Sequence, residues 1–409
     1  MTAYAFTGGQ VLSAHGERFV PATLHVLDSV ISAIDGESAG VGEIEVDVTG
    51  RYVLPGLIDS HFHLVSRSDV TMDDRAIAGS MIEGVINAED CIASGVTSVR
   101  DCGCRHEGIY TLQAAIAPGA VVGPDAVTAG RNPTGPTAPA HWRNIVGDGP
   151  DEIRGAVREQ VAAGAGWVKI ILAHAFDPLD WGTVTEFMSD AEVSAAIDEA
   201  HSLGVRIGAH CEGWDVAERG IRLGLDSLDH APLLSEKAIE MMRARGMIYT
   251  PTVWAFSTDA GVDLDALDEG DLMRLTDWRS EHHASVRRAF ETGVPIAAGS
   301  DSASAVTGRG VLLNEMLALI DCGLPTNAVL AAATRVGAAN LGREDEIGRL
   351  APGFRADLLV VDQNPLADLE ALRHPLMVWK GGVLRFTRGA GILTDEVRQL
   401  DDAVVARWL

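Results

Sequence analysis

Six residues spread along the chain have the types needed to hold metal ions and hydrolyse a bond: His61, His63, Lys169, His210, His230 and Asp301. Each lies in or just past a short apolar run of the kind that forms a β-strand. His61 and His63 follow Val53-Leu54-Pro55-Gly56-Leu57-Ile58-Asp59-Ser60, and Lys169 lies within Trp167-Val168-Lys169-Ile170-Ile171-Leu172. His210 ends Val205-Arg206-Ile207-Gly208-Ala209, His230 follows Ser227-Leu228-Asp229, and Asp301 closes Pro295-Ile296-Ala297-Ala298-Gly299-Ser300. Polar groups at strand ends, on one face of a parallel barrel, are where such a fold places its chemistry.

The residue types suggest the division of labour. His61-x-His63 on an extended segment puts both imidazoles on one side, because side chains alternate with period two. Neutral imidazoles suit zinc and related divalent ions. A lone His-x-His arises by chance, and a lone strand-end histidine is more often structural; His210 and His230 in succession, beside that pair, point to ligands. An ammonium at Lys169 would be repelled and desolvated beside cations, so it would lose its proton or be excluded. A free amine there can take up CO₂ to give a carbamate, whose two oxygens and negative charge can bridge two metals. The competing reading turns Lys169 outward, with its head in solvent and Val168 and Ile170 inward. Asp301 can bind a metal, accept a proton from metal-activated water and deliver it to the leaving group. Its competing role is to cap the helix that follows.

The elements that must position these groups follow from periodicity. Residues 3–50 alternate in short runs between Gly-rich turns, predicting strands at Tyr4–Phe6, Arg18–Val20, Thr23–Leu27, Val30–Ile34 and Ile44–Val48. From Leu54 the pattern becomes strand, loop, helix, repeated. Strand cores fall near 54–58, 96–100, 126–130, 167–172, 206–210, 227–231, 247–252 and 295–300, with helices such as Asp151–Ala163, Asp190–Leu203, Trp214–Leu223 and Ser235–Ala244 between them. That is the pattern of a (β/α)₈ TIM barrel. After Leu350 the β-rich character returns, and neither terminal segment alone has strands enough to cover a core. The expected organisation is therefore residues 1–53 and 346–409 joined as one small β-sandwich domain, beside a barrel over 54–345. Leu393–Leu409 reads as a closing helix with Thr394 at its N-cap. Three loops, 131–150, 173–189 and 253–269, are long enough to suggest function, and would rim the face that carries the six residues. The first carries His141 and Trp142, and the third is acidic and suited to a lid. His201, His282 and His283 fall on helical patterns and are expected at the surface.

The composition narrows the partners. A net charge of −26 repels nucleic acid and anionic membranes. No apolar run reaches the roughly 18 residues of a membrane span. The start lacks a signal-peptide pattern, and 5 cysteines without framework spacing suggest reduced thiols, so a cytoplasmic location is expected. Cys102-Gly103-Cys104 lacks the second pair of ligands that a soft metal site needs.

The chain resembles the amidohydrolase superfamily, in its binuclear class with a carboxylated lysine, and within it the imidazolonepropionase-like and prolidase-like branch. The resemblance rests on Leu54-Pro55-Gly56-Leu57-Ile58-Asp59-Ser60-His61-Phe62-His63, on Gly95-Val96-Thr97-Ser98-Val99-Arg100-Asp101, and on Gly348-Arg349-Leu350-Ala351-Pro352-Gly353-Phe354-Arg355-Ala356-Asp357-Leu358-Leu359-Val360. It implies metals at His61, His63, Lys169, His210, His230 and Asp301, with the termini forming a β-sandwich. Two departures matter. Prolidase-like members carry Gly-Gly-His after the third strand, where this chain has Thr134-Gly135-Pro136-Thr137-Ala138-Pro139-Ala140-His141, making His141 the counterpart. They also place a tyrosine, suited to a substrate carboxylate, two positions after the fifth-strand histidine; here Glu212 stands there and would repel that group. Glu212 and Trp142 are the candidate substrate-binding residues. The competing role for Glu212 is an acid at the N-terminus of the helix from Trp214.

The expected function is hydrolysis of a C–N bond, amide or peptide-like, in a small molecule. A hydroxide bridging two divalent ions, most simply zinc, would attack the carbonyl; His141 would stabilise the oxyanion and Asp301 shuttle the proton. A cyclic amidohydrolase or a carbamate or urea hydrolase would use the same site. A mononuclear deaminase would leave Lys169 idle, and a non-catalytic metal-binding barrel would not need all six residues. A homo-oligomer is expected.

Overall fold

Alternation between Gly-rich turns does produce short strands at the N-terminus: β1 (Ala3–Thr7), β2 (Gln10–Leu12), β3 (Phe19–Pro21), β4 (Leu24–Leu27), β5 (Val30–Ile34), β6 (Ile44–Asp47) and β7 (Tyr52–Pro55). The structure is a computed structural model that describes residues 2–36, 42–65, 73–138, 145–175, 184–257, 267–302 and 312–394. The middle of the chain alternates strand and helix. It runs β8 (Leu57–Phe62), α1 (Asp74–Ala93), β9 (Val96–Asp101), α2 (Gly108–Ile116), β10 (Asp125–Thr128), β11 (Pro133–Thr134), β12 (Ile145–Val146) and α3 (Pro150–Ala163). There follow β13 (Trp167–His174), β14 (Thr185–Glu186), α4 (Asp190–Ser202), β15 (Arg206–Cys211), α5 (Trp214–Leu223), β16 (Ser227–His230), α6 (Glu236–Arg245) and β17 (Ile248–Thr250). Helices α7 (Val253–Ser257), α8 (Glu269–Thr292), α9 (Leu312–Asp321), α10 (Thr326–Ala332) and α11 (Arg335–Asn340) lead to β18 (Leu358–Val361), β19 (Met377–Lys380), β20 (Val383–Thr387) and β21 (Gly391–Ile392).

Strands from both ends of the chain share one sheet, in the order β21-β20-β19-β18-β7-β2-β3. Val360 of β18 lies opposite Val53 of β7 in antiparallel register, so the C-terminal segment docks directly on the strand that precedes the barrel. The remaining N-terminal strands form a second sheet, β5-β4-β1-β6. Trp379 links the two, its ring edge-on to Tyr4 at 4.8 Å and to Phe6 at 5.1 Å. Buried aromatic pairs of this geometry add to the area they remove from water.

In the middle of the chain the strands are parallel: β8, β9 and β10 in one run, and β13, β15, β16 and β17 in another. Between them, Gly166 donates to Thr128 O at 2.9 Å. On the far side, residues 295–302 connect β17 back to β8. Tyr249 N bonds Pro295 O (3.0 Å), Ala297 N bonds Tyr249 O (2.9 Å), Ser60 N bonds Ala298 O (2.8 Å), and Asp301 N bonds His61 O (2.8 Å). The arrangement is TIM-barrel-like. Seven of the eight residues of β13 are buried, as befits a strand covered on both faces. Helix ends are marked by local chemistry: a capping box between Ser189 and Glu192 starts α4, and Pro150 occupies the first turn of α3.

Several expectations are corrected. The strand expected near 54–58 is two strands, β7 in the terminal sheet and β8 in the barrel, broken at Gly56. The strand expected at 295–300 makes only isolated bridges, at Ile296 and Ser302. Its backbone N–H groups divide among several partners, Ala298 N turning to Ala332 O at the end of α10, so no regular ladder forms. His282, expected at the surface, is 1% exposed and lies against Phe256 and Trp278. The buried residues of α8 include Leu275, Ser285, Val286 and Ala289, and His282 shares their face. Among the described residues no helix is long and apolar enough to cross a membrane. His141, Trp142, most of the expected lid and the closing helix beyond Thr394 lie outside the described residues.

Candidate metal centre

His61, His63, His210, His230 and Asp301 gather at the C-terminal ends of the parallel strands, and Lys169, the third residue of β13, reaches Asp229, whose Oδ2 lies 3.7 Å from His61 Nδ1. Lys169 points inward and is 2% exposed. The ring centroids of His61 and His63 are 5.4 Å apart, those of His61 and His230 4.7 Å, and those of His210 and His230 4.4 Å. Asp301 Oδ1 lies 3.4 Å from His61 Nε2 and 3.2 Å from His63 Nε2. Segment 295–302 reaches His61 because Gly299 has no side chain: a Cβ there would sit 2.5 Å from Thr250 Cγ2 and 2.7 Å from His61 Cβ.

Each ligand candidate is oriented from behind. His63 Nδ1 bonds Gly103 O at 2.8 Å, which leaves Nε2 to face Asp301. His230 Nδ1 bonds Thr252 Oγ1 at 2.7 Å. Asp59 accepts from Ser300 N (3.0 Å), Ser300 Oγ (2.5 Å) and His61 N (3.1 Å), tying β8 to the segment that carries Asp301. Lys169 Nζ donates to Asp229 Oδ2, and Arg100 Nη2 donates to Asp229 Oδ1. Arg100 also bonds Ser60 O (2.7 Å), Ser227 Oγ (3.0 Å) and Asn340 Oδ1 (3.2 Å), with its guanidinium 4.2 Å from the Trp167 ring centroid. The two buried cations thus share one buried carboxylate.

The protonation states suit a cation. Burial, reinforced by Lys169, lowers His61 to about 3, and burial lowers His210 to about 4. Burial, with His210 and His61 beside it, holds His230 well below its ordinary value. Burial opposes the charge on Asp301, but His61 and His63 hold it well below the carboxylate range. Neutral imidazoles and an ionised carboxylate are the forms that bind metal. His61 Nδ1 and His63 Nε2 are buried without a hydrogen-bond partner. Buried polar atoms normally find one, and a cation would satisfy them. The backbone is strained at the same place: His230 (φ 69), Ala231 (φ 37), Thr252 (φ 49) and Asp301 (φ 52) all adopt left-handed conformations, which cost roughly 1–3 kcal/mol each and cluster at functional sites.

Glu212 lies beside His210, as the sequence reading expects, and directly precedes Gly213, the first flanking residue of α5. The N-terminus of α5 has no side-chain cap, and Glu212 instead accepts from Ala175 N at 2.6 Å. Burial alone would raise its carboxyl; bonds to His174 and His210 hold it at about 2. His174, left unassigned by sequence, joins this cluster. Asp229, Asp59 and Arg100 are further residues that the sequence reading passed over. A charged residue inside an apolar strand, as in Val96-Thr97-Ser98-Val99-Arg100, was the available signal.

The amidohydrolase family model matches residues 52–385. Ochratoxinase of Aspergillus niger is 24% identical over 439 residues, covering 95% of this chain and 88% of the relative. Imidazolonepropionase of Paracoccus denitrificans is 27% identical over 361 residues, covering 80% of this chain and 81% of the relative. A solved Xaa-Pro dipeptidase with bound methionine in its active site superposes with a TM-score of 0.83 at 24% identity, over 94% of this chain and 99% of that one. The chain belongs to the amidohydrolase family and is a hydrolase of C–N bonds.

Proposed function

We propose that this amidohydrolase-family chain is a binuclear metal-dependent hydrolase of an amide or peptide-like C–N bond in a small molecule. The observation that carries the reading is the convergence of the buried imidazoles of His61 and His63 on Asp301, with His61 Nδ1 and His63 Nε2 making no hydrogen bond. His61, His63, Lys169, His210, His230 and Asp301 would hold two divalent ions, most simply zinc. When bound, these ions supply Lewis-acid polarisation of a carbonyl and activation of water. Gly103 O fixes His63 and Thr252 Oγ1 fixes His230, so neither ring needs to reorganise to present its free nitrogen. Asp301 stays ionised and so can take the proton of the attacking water and pass it to the leaving nitrogen. His141 is assigned the oxyanion and Trp142 the substrate.

Lys169 is assigned to a carbamate: its ammonium gives up one proton, the amine so formed adds to the carbon of CO₂, and a second proton leaves, giving an N-carboxylate. Before that reaction Asp229 carries one negative charge against Arg100 and Lys169 together. Afterwards the balance reverses and favours cations. We further read the two terminal sheets as one β-sandwich domain over 1–53 and 346–409, beside a closed barrel over 54–345.

A second reading, a carbamate or urea hydrolase, is favoured by Glu212, a negative charge where a substrate carboxylate would otherwise be held. Purified enzyme stripped of metal, reloaded with zinc and screened against N-acyl amino acids, dipeptides, carbamates and ureas tests both. Metal-dependent turnover of amides is expected. Fully active enzyme with one metal per chain overturns the binuclear assignment, and turnover confined to ureas or carbamates overturns the amide one.

A further inference from the structure

We propose that His174, His210 and Glu212 form an additional site for one divalent cation of the zinc, cobalt or nickel type. His174 ends β13, and Glu212 follows β15. The two strands run parallel, with a register shift between Ile171 and Ala173 that sets Ala173 opposite Cys211. That shift brings His174 level with Glu212. One donor atom from each residue lies within 4.8 Å of the other two, and the two histidines face different oxygens of Glu212. His174 Nδ1 is 3.3 Å from His210 Nε2, His210 Nε2 is 3.3 Å from Glu212 Oε1, and His174 Nδ1 is 3.1 Å from Glu212 Oε2.

The contacts between these side chains are long for charge-assisted hydrogen bonds. Charge-assisted N–H···O bonds close to about 2.7–2.9 Å, and Glu212 does make one such contact, 2.6 Å from Ala175 N. His210 Nε2 carries at most one proton, yet it has two neighbours at the same 3.3 Å distance. A tetrahedral ion with ligand bonds of about 2.0–2.1 Å separates adjacent donors by about 3.3 Å. The same spacing recurs at Asp301, 3.4 Å from His61 and 3.2 Å from His63. Two imidazoles and a carboxylate suit zinc, cobalt or nickel rather than magnesium or calcium. The side chains of His210 and Glu212 are 9% and 2% exposed, while His174 is 21% exposed, so the cluster opens at His174 and leaves a position for a further ligand. His210 would then serve both clusters, its Nε2 used here while its ring lies 4.4 Å, centroid to centroid, from that of His230. The ion turns the single negative charge of Glu212 into a net positive one. On the reading of these strand ends as the active site, it would hold an anionic group of the substrate.

Crystals of the full chain soaked in zinc chloride and measured at the zinc edge decide the matter. An anomalous peak about 2.1 Å from His174 and Glu212 donors, lost in Glu212→Gln and in His174→Phe, is the expected result. No peak there, with peaks present at His61, His63 and Asp301, overturns the proposal and leaves Glu212 as a hydrogen-bond partner of His210. Absence of the peaks at His61, His63 and Asp301 would overturn the principal centre instead, while the peak at His174 still decides this one. In solution, the triple variant His61→Ala, His63→Ala, Asp301→Ala should retain one zinc by elemental analysis and lose it when Glu212→Gln is added. Retention after that addition, or no zinc before it, also overturns the site.

Discussion

At the C-terminal ends of β8, β13, β15 and β16 the polar groups point at one another; at the N-terminal ends of the barrel strands they pair off with neighbouring elements. Asp226, ahead of β16, accepts from Ile207 N at 2.8 Å and bonds His201 Nε2 at 2.9 Å. Asp125, at the start of β10, binds Lys380, Arg343 and Arg355 and so ties the barrel to the C-terminal segment. A cleft of about 650 Å³ does open at this end, lined by Trp167, Arg206, Asp226 and Arg245 among others, but Arg206 is engaged by Ala339 O and Arg245 by Ile221 O. The backbone differs in the same sense. Left-handed positions at the N-terminal ends fall on glycines such as Gly204, Gly224 and Gly246, whereas at the C-terminal ends they fall not only on Gly103, Gly130 and Gly213 but also on His230, Ala231, Thr252 and Asp301. Glycine takes that conformation freely, while other residues hold it only when their surroundings impose it. One end is relaxed and self-satisfied; the other keeps strain and unmet donors, as expected of a site that awaits a ligand.

Substitutions at the two ends should therefore separate activity from stability. The largest effect is expected from Asp301→Asn, which should lower kcat by about 10²–10⁴-fold with little change in KM or melting temperature. An unchanged kcat would make Asp301 structural and dissolve the contrast. Lys169→Ala should cost at least the ~10–100-fold that a supporting group is worth to a metal site, with loss of bound metal. Short carboxylic acids should restore part of both, since an acid can replace a carbamate but not an amine. An unmodified amine in active enzyme, seen by mass, would rule this out.

Arg100 lies between the two ends, and Arg100→Met should act mainly on folding. It takes a buried cation from Asp229 and strips bonds from Ser60, Ser227 and Asn340. Breaking a buried pair costs about 3–5 kcal/mol, readable as a shift in the denaturant midpoint. Asp125→Asn should lower stability by roughly 1.5–3 kcal/mol at neutral pH while kcat holds. Burial opposes the charge of Asp125, but Lys380 and Arg355 depress its pKa. A depressed carboxylate stabilises the fold above its unfolded pKa of about 3.9 and loses that contribution as pH falls through the folded value. The gap in melting temperature between wild type and Asn variant should thus close in acid. A gap that persists there would point to a packing effect.

The smallest test exchanges the backbone chemistry of the two ends. Ala231→Gly should stabilise, and Gly204→Ala destabilise, by about 1 kcal/mol each. A Cβ at Gly204 would touch nothing, so only its φ of 75° is probed. Equal signs for the two would mean that the strain at the C-terminal ends is not real.

Much of this architecture was legible in the sequence because its signals are local. Period-two alternation and Gly-rich turns marked Val30–Ile34 to the residue, and the helical stripe of Trp214–Leu223 was bounded correctly. Strand-end histidines announced His61, His63, His210 and His230 for the same reason: parallel strands followed by helices gather their C-terminal ends on one face. Tertiary structure decided what depends on partners distant in the chain. Residues 295–300 read as a strand, yet their N–H groups are claimed by Asp59, Tyr249 and Ala332, so only isolated bridges form. His282 read as a surface residue until α8 packed it against Phe256 and Trp278. Lys169 could have pointed either way along its apolar strand; Asp229, sixty residues later, turns it inward. Glu212 is placed likewise, since a helix-terminal acid and a buried partner of two imidazoles look alike until β13 and β15 are aligned. Periodicity is a property of neighbours in sequence, whereas the orientation of a buried charge is set by the counter-charge that folding brings to it.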